Sequence, residues 1–179
     1  MADEVFLKAA ADFSTKWTRR AQGRTLVVGS KCYDEKVDRR SMYSNAIGLD
    51  LEEGNGVDFV HDLEKPLPVS VGRFNHIDCC SVLEHVKRPW LMAENILKVM
   101  EPEATILVTV PFVWRQHSYP SDYWRITAEG LDVLFPTIVW EKKKYAVADK
   151  LRNKVPGKDN EFGVWMARAE VVAFGALCK

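Results

Sequence analysis

The sequence predicts an α/β fold: a doubly wound, mostly parallel sheet with an antiparallel edge strand and helices on both faces. Three observations carry that expectation. Residues 75–125 place two short apolar runs, 76–82 and 105–112, on either side of an amphipathic helical stretch, the spacing of two parallel strands and their crossover. Upstream, two further short apolar runs end in Gly29 and in Asp50. Near the end, residues 137–147 and 163–177 read as a closing pair of strands joined by a polar loop, with Pro156-Gly157 as the turn signal, which adds the antiparallel edge.

Each element has its own signal. Val5, Ala9, Phe13, Trp17 and Ala21 recur at helical spacing and predict a leading amphipathic helix ended by Gly23. Residues 25–28 form a short buried-type strand ending at Gly29, where the missing Cβ permits a turn and close approach of a ligand. Residues 33–44 are polar without clean periodicity, which predicts a short or irregular helix. The second strand, 46–51, ends at Asp50 and Glu52; a carboxylate there can accept from ribose hydroxyls, although an acid after a strand is also often just solvated. Gly54-Asn55-Gly56 is a turn, 57–60 a third strand ending in His61-Asp62-Leu63, and 64–73 a loop because of Pro66, Pro68 and Gly72. Pro89 opens the crossover helix, Trp90, Ala93, Leu97 and Met100 are its expected apolar stripe, and Pro102 its expected end. Thr127 is the expected N-cap of a last helix with Leu131, Leu134 and Phe135 on its apolar side, closed by Pro136.

Composition narrows the classes. With 179 residues, 47% hydrophobic and 28% charged, the chain suits a single globular domain over 1–179. Lys plus Arg and Asp plus Glu are 25 each, so there is no general pull toward nucleic acid or an anionic membrane. Acidic residues at the start and the lack of a long apolar run predict a cytoplasmic protein. Cys32, Cys79, Cys80 and Cys178 show no metal spacing; neighbouring Cys79 and Cys80 point to opposite strand faces, and buried free thiols are expected. Lys142 to Lys144 with Lys150, Arg152, Lys154 and Lys158 read as a solvated basic face.

Chemistry is expected where the fourth and fifth strands end, because ligands in open α/β sheets sit at the carboxyl ends of strands. Ser81, Glu84 and His85 follow the first of these, and 115–125 follows the second. The segment H-S-Y-P-S-D-Y-W-R is an acceptor-binding candidate: Tyr119, Tyr123 and Trp124 offer flat faces, while Asp122 and Arg125 offer directed hydrogen bonds. Histidine titrates near neutrality, so His117 is the candidate general base, with His85 second. A structural reading stands beside it, in which Asp122 and Arg125 pair to pin the loop and Tyr123 and Trp124 fill core.

The order S-V-L-E-H-V-K-R-P-W, helix, I-L-V-T-V-P-F, then H-S-Y-P-S-D-Y-W-R-I-T, resembles the class I S-adenosylmethionine-dependent methyltransferases, in the branch called methyltransferase type 11, over residues 25–136. The resemblance implies a Rossmann-like fold with S-adenosyl-L-methionine bound across the first four strand ends. Gly29, Ser30 and Lys31 then stand at the methionine end. Only the first glycine of the family's G-x-G-x-G loop is present, and Lys31 is expected to compensate by meeting the cofactor carboxylate. Asp50 with Leu51 would hold the ribose, Asp62 the adenine amino group, Leu63 would pack on the ring, and Ser81 would complete the cofactor set. Glu84, Tyr119, Asp122, Tyr123 and Arg125 would contact the acceptor. The implied function is methyl transfer to a small-molecule or glycan-type acceptor, with no membrane and no nucleic acid as partner. A catalytically inactive cofactor- or nucleotide-binding protein of the same fold is the alternative, motivated by the replaced glycines. A nicotinamide dehydrogenase would need G-x-G-x-x-G after the first strand, and a DNA methyltransferase would carry N/D-P-P-Y/W where this chain has Ser81-Val82-Leu83-Glu84. Ubiquinone-pathway relatives bind a divalent cation through E-x-x-E-H. Here Ser81 replaces the first glutamate, so no metal is expected in methyl transfer.

Overall fold

The structure is a computed structural model, and it describes residues 23–33, 38–114, 116–117, 120–147 and 168–178. The predicted leading helix, Tyr119, the whole last loop with its basic residues, and positions 163–167 of the expected last strand therefore lie outside the described residues.

Seven strands form one sheet: β1 (Thr25–Val28), β2 (Ala46–Asp50), β3 (Phe59–Val60), β4 (Phe74–Cys80), β5 (Met100–Pro111), β6 (Ile138–Val147) and β7 (Arg168–Leu177). Their order is β3-β2-β1-β4-β5-β7-β6. The first five are mutually parallel, and β7 runs antiparallel to both β5 and β6. All four residues of β1 are buried, as a central parallel strand covered on both faces requires. The antiparallel edge is a pair whose order follows from composition. Val171, Val172, Ala173 and Phe174 make β7 apolar on both faces and place it inside, whereas β6 carries the charged run Glu141–Lys144 suited to an outer edge. Within that run Lys143 pairs with Asp132 and donates to the Ala128 carbonyl.

Two α-helices are described, α1 (Pro89–Val99) and α2 (Ala128–Leu134). Both contribute to one large core: Met92, Ala93, Ile96 and Leu131 pack with Leu26, Ile77, Ile106 and Val171. On the opposite face, Leu107, Val172 and Phe174 form a smaller cluster, and the 3-10 turn Arg39–Met42 stands where a short helix is predicted. Arg39 and the Tyr43 hydroxyl both bond Asp78 Oδ2 on that face, at 2.6 and 2.7 Å. Burial opposes the charge on the Arg39 guanidinium, but its interactions with Cys80 and Asp78 outweigh that and keep it protonated, whereas burial and the Asp78 charge both push the Tyr43 phenol far up. Cys79 lies in the large core and Cys80 against the small one, so the vicinal thiols do take opposite faces. All four cysteines are free, but burial is not general: Cys178 is exposed at the end of β7.

Several boundaries differ from expectation. The fourth strand starts at Phe74 and stops at Cys80, and the third is only Phe59–Val60. Helix α1 ends at Val99, ahead of Pro102, and Met100 passes straight into β5. The register between β4 and β5 jumps between Phe74 and His76, and Glu103 in the extra segment has φ 63°. The buried stripe of α1 is Pro89, Met92, Ala93 and Ile96, leaving Trp90 half exposed against Trp124 at 6.0 Å. Thr127 does cap α2, its Oγ1 accepting from the Gly130 amide at 2.9 Å. Among the described residues no helix is long and apolar enough to cross a membrane.

Candidate active site

The chain crosses to one side of β1 through β2 and β3, and to the other through β4 and β5. The carboxyl ends of β1 and β4 therefore diverge at a topological switch point, the place where such sheets leave a crevice. A cleft of about 210 Å³ opens there, lined from each of the first four strand ends by Gly29, Asp50 with Leu51, Asp62 with Leu63, and Ser81. These are six of the eight residues predicted for a cofactor.

Local geometry explains each placement. Gly29 has φ +66°, and a Cβ on it would stand 2.5 Å from Val82 Cγ2, so both conformation and space demand glycine. Its amide donates to the Leu49 carbonyl at 2.9 Å, tying the turn to β2. Asp50 is held by three backbone amides: Lys31 on Oδ2 at 3.0 Å, and Leu51 and Glu52 on Oδ1 at 2.7 and 3.3 Å. Asp62 accepts from the Glu64 amide at 3.0 Å, and the Leu63 carbonyl accepts from buried Asn95 on α1 at 2.9 Å. Ser81 has φ 54°, an unusual conformation for a non-glycine residue, fixed by its amide bond to the Thr109 carbonyl at 2.9 Å.

Ser30 and Lys31 do not line this cleft. Ser30 Oγ is buried without a partner, close to Gly48. The Lys31 ammonium bonds Glu52 at 2.7 Å, and that bond raises the lysine and lowers the carboxyl. Sequence reasoning missed Val82, Met92, Pro120, His61 and Glu64 and ranked Glu52 behind Asp50, and all six line the cleft. Glu52 carried a signal as the second acid after β2. Val82 and Met92 carried none, because an apolar residue beside a site looks like any core residue.

Beyond the cleft lies the predicted acceptor side. His85, on the 3-10 turn Leu83–His85 after β4, lines the cleft itself. Its ring meets that of His117 edge-on, with centroids 4.8 Å apart. His85 Nδ1 is 2.5 Å from the Ser121 carbonyl, and burial lowers its affinity for a proton. His117 Nδ1 stands 3.1 Å from Asp122 Oδ2, near enough for charge pairing but off the line of a hydrogen bond. The His117 amide donates to the same oxygen at 2.9 Å. Arg125 grips Asp122 with two parallel bonds of 2.5 and 2.7 Å, which hold that carboxyl well below the usual range. The Tyr123 amide donates to the Glu84 carbonyl at 2.7 Å, and Trp124 Nε1 to the Val86 carbonyl at 2.9 Å.

The pinning half of the structural reading thus holds, and the core-filling half does not: Tyr123 and Trp124 are 44% and 38% exposed. Glu84 is the outlier of the group. Its side chain is 1% exposed, Oε2 has no partner, and burial, reinforced by the charges of Glu170 and Asp122, pushes its carboxyl up to about 8.

No family model matches the chain. Over 97 residues, 52% of its length, it is 30% identical to the 25S rRNA (adenine(2142)-N(1))-methyltransferase of Saccharomyces cerevisiae. The match spans only 29% of that relative. Among solved structures it resembles the N-methyltransferase NodS of Bradyrhizobium japonicum in complex with S-adenosyl-L-homocysteine, with TM-score 0.66, 8% identity, and coverage of 99% of this chain and 90% of that one. It also resembles the 1,6-didemethyltoxoflavin-N1-methyltransferase of Burkholderia thailandensis, with TM-score 0.68, 12% identity, and coverage of 99% and 80%. At such identities the likeness is one of fold. Taken with the strand order, the antiparallel β7 and the crevice between β1 and β4, it establishes that the chain has the class I S-adenosylmethionine-dependent methyltransferase fold.

Proposed function

We propose that this chain transfers a methyl group from S-adenosyl-L-methionine to a small-molecule or glycan-type acceptor. The observation that carries the proposal is the cleft, into which the ends of β1, β2, β3 and β4 each present a residue of the expected kind. Asp50, oriented by three amides and backed by Glu52, serves the ribose hydroxyls. Asp62 serves the adenine amino group and Leu63 packs on its ring. Gly29 and the backbone to Lys31 serve the methionine end. For Lys31 to reach a carboxylate there, its ammonium must leave Glu52.

The sulfonium supplies an electrophilic methyl, so the chain's task is to align the acceptor behind that carbon, exclude water and take up a proton where the acceptor carries one. His117 is the proposed base and His85 its neighbour. Ser121 and Asp122 face the two Nδ1 atoms, which leaves Nε2 of each ring for the proton. Tyr123, exposed beside Glu84, offers a face to the acceptor, whereas Asp122 and Arg125 act by holding His117 in place.

A second reading, a base within RNA as acceptor, draws on the rRNA named for the yeast relative and on the exposed Trp90, Trp124 and Tyr123, which suit stacking. Calorimetry with S-adenosylmethionine and its demethylated product, followed by labelled methyl transfer to fractionated small-molecule, glycan and RNA pools, tests both. Binding without transfer to any pool would support the inactive cofactor-binding alternative. Tight NAD binding with none of the methionine cofactor would refute the proposal.

A further inference from the structure

We propose that Glu84, His85 and His117 form a site for one divalent transition-metal ion of the borderline class that includes Zn²⁺, and that its occupancy switches methyl transfer off by engaging both imidazoles. The second half rests on the function proposed above; the first does not.

The three residues come from two places in the chain. Glu84 and His85 share the turn after β4, and His117 arrives on the segment after β5, held down by the Asp122–Arg125 grip and by the Tyr123 amide on the Glu84 carbonyl. One ligand atom from each lies within 4.8 Å of the other two. Tetrahedral zinc, with bonds of about 2.1 Å, sets its ligand atoms about 3.4 Å apart, so a closure of at most about 1.4 Å completes the set. Glu84 Oε1 and His85 Nε2 are already 3.6 Å apart.

Two features point to an ion rather than to a mere polar cluster. The Glu84 side chain is 1% exposed and its Oε2 has no partner, an arrangement that is costly unless something positive meets it. In addition, each imidazole has an acceptor behind it. The Ser121 carbonyl stands 2.5 Å from His85 Nδ1, so the His85 proton belongs on Nδ1 and its lone pair on Nε2, and the Asp122 carboxylate lies 3.1 Å from His117 Nδ1, where its charge favours a proton although no hydrogen bond is made. A metal-binding histidine is oriented in this way, by an outer acceptor that fixes its tautomer.

Two imidazoles and one carboxylate suit zinc or cobalt, whereas magnesium and calcium call for oxygen ligands. With three protein ligands, a tetrahedral ion keeps a fourth position for water or another small ligand. The sequence shows only the E-H pair on one turn, and the third ligand is visible only once β5 has brought His117 alongside. Methyl transfer itself still needs no metal under this proposal, because the ion and the acceptor's proton compete for the same Nε2 atoms.

The test titrates the chelator-stripped full chain with Co²⁺, then displaces it with Zn²⁺. One equivalent of cobalt should bind with a visible d–d band and no thiolate charge-transfer band, and His85→Gln and His117→Gln should each weaken binding at least tenfold. Asp122→Asn, which leaves the three ligands in place, should weaken it by about 10- to 100-fold. Melting curves on each variant show whether it is folded, and wild-type binding is read without any variant. A chain that binds no cobalt, shows a thiolate band, or keeps full affinity in both histidine variants overturns the site. In methyl-transfer assays Zn²⁺ should inhibit and a chelator should not. Loss of activity with the chelator overturns the switch. Because cobalt binding needs neither cofactor nor acceptor, and cofactor calorimetry needs no metal, failure of one reading is separable from failure of the other.

Discussion

Asp50→Asn is the sharpest perturbation of the cofactor cleft, because the wild-type carboxylate is nearly full. A carboxylate offers about four lone-pair sites. Three already receive the amides of Lys31, Leu51 and Glu52, so one site on Oδ2 remains for a ribose hydroxyl. The other hydroxyl then falls to Glu52, which lines the same cleft. Asparagine can keep Oδ1 on Leu51 and Glu52, but its Nδ2 would replace Oδ2 and face the Lys31 amide 3.0 Å away, donor against donor. One bond between the β1 and β2 turns is lost with the charge, for a stability cost of about 1–3 kcal/mol. The free lone pair is lost too, and a hydrogen bond to a charged group at about 1.5–3 kcal/mol corresponds to roughly 10- to 100-fold in affinity. Calorimetry with S-adenosylmethionine, run well below the variant's melting temperature, measures the second effect apart from the first. Affinity within twofold of wild type would show that Asp50 only braces the loops, and the ribose assignment would fall.

Three other outcomes are expected. Gly29→Ala forces a side chain into φ +66° with its Cβ 2.5 Å from Val82, at a strain of about 1–2 kcal/mol before any clash; thermal melting should show the loss, and adding Val82→Ala should recover part of it. His117→Ala should keep its cofactor affinity and nearly all of its melting temperature while methyl transfer falls by about 100-fold or more; normal turnover would make the loop scaffolding. His76, buried against Thr105 with Nδ1 2.7 Å from the hydroxyl, has its ring pushed down to about 4 by desolvation. The unfolded chain takes up that proton near 6.5 and the folded one only near 4, so this stability is present above about pH 6.5 and is lost as pH falls, by about 3 kcal/mol at pH 4. Urea unfolding at both pH values should show a smaller acid loss in His76→Gln than in wild type.

The sheet was legible because strand ends carry strong signals. Apolar runs of strand length closed by Gly29, Asp50, Asp62 and Ser81 mark both the strands and the cleft, since in this architecture the two coincide. The face of α1 was not legible. Trp90, Ala93 and Leu97 share helical spacing with the stripe Met92, Ala93 and Ile96, and periodicity cannot rank two overlapping stripes. The order of the last strands was also hidden, because alternation identifies a strand but not its neighbours, and β7 reaches its place beside β5 only by passing β6.

Around His85 and His117, composition exposed the residues but not what each one holds. Asp122 and Arg125 look like substrate ligands in the sequence because both are charged and both stand in a loop rich in aromatic residues. In the fold their charges are spent on each other, and the second oxygen of Asp122 also takes the His117 amide, so the pair sets the position of the histidine five residues before Asp122. Glu84 shows the converse. In the sequence it reads as an acceptor contact, yet in the fold its side chain is buried, with the Tyr123 amide on its carbonyl and Oε2 without a donor. A buried carboxylate is tolerated unpaired only in its neutral form or when a cation arrives. With its carboxyl pushed up to about 8, Glu84 is buried mainly in its neutral form near neutrality, and no local pattern of residues could have revealed that.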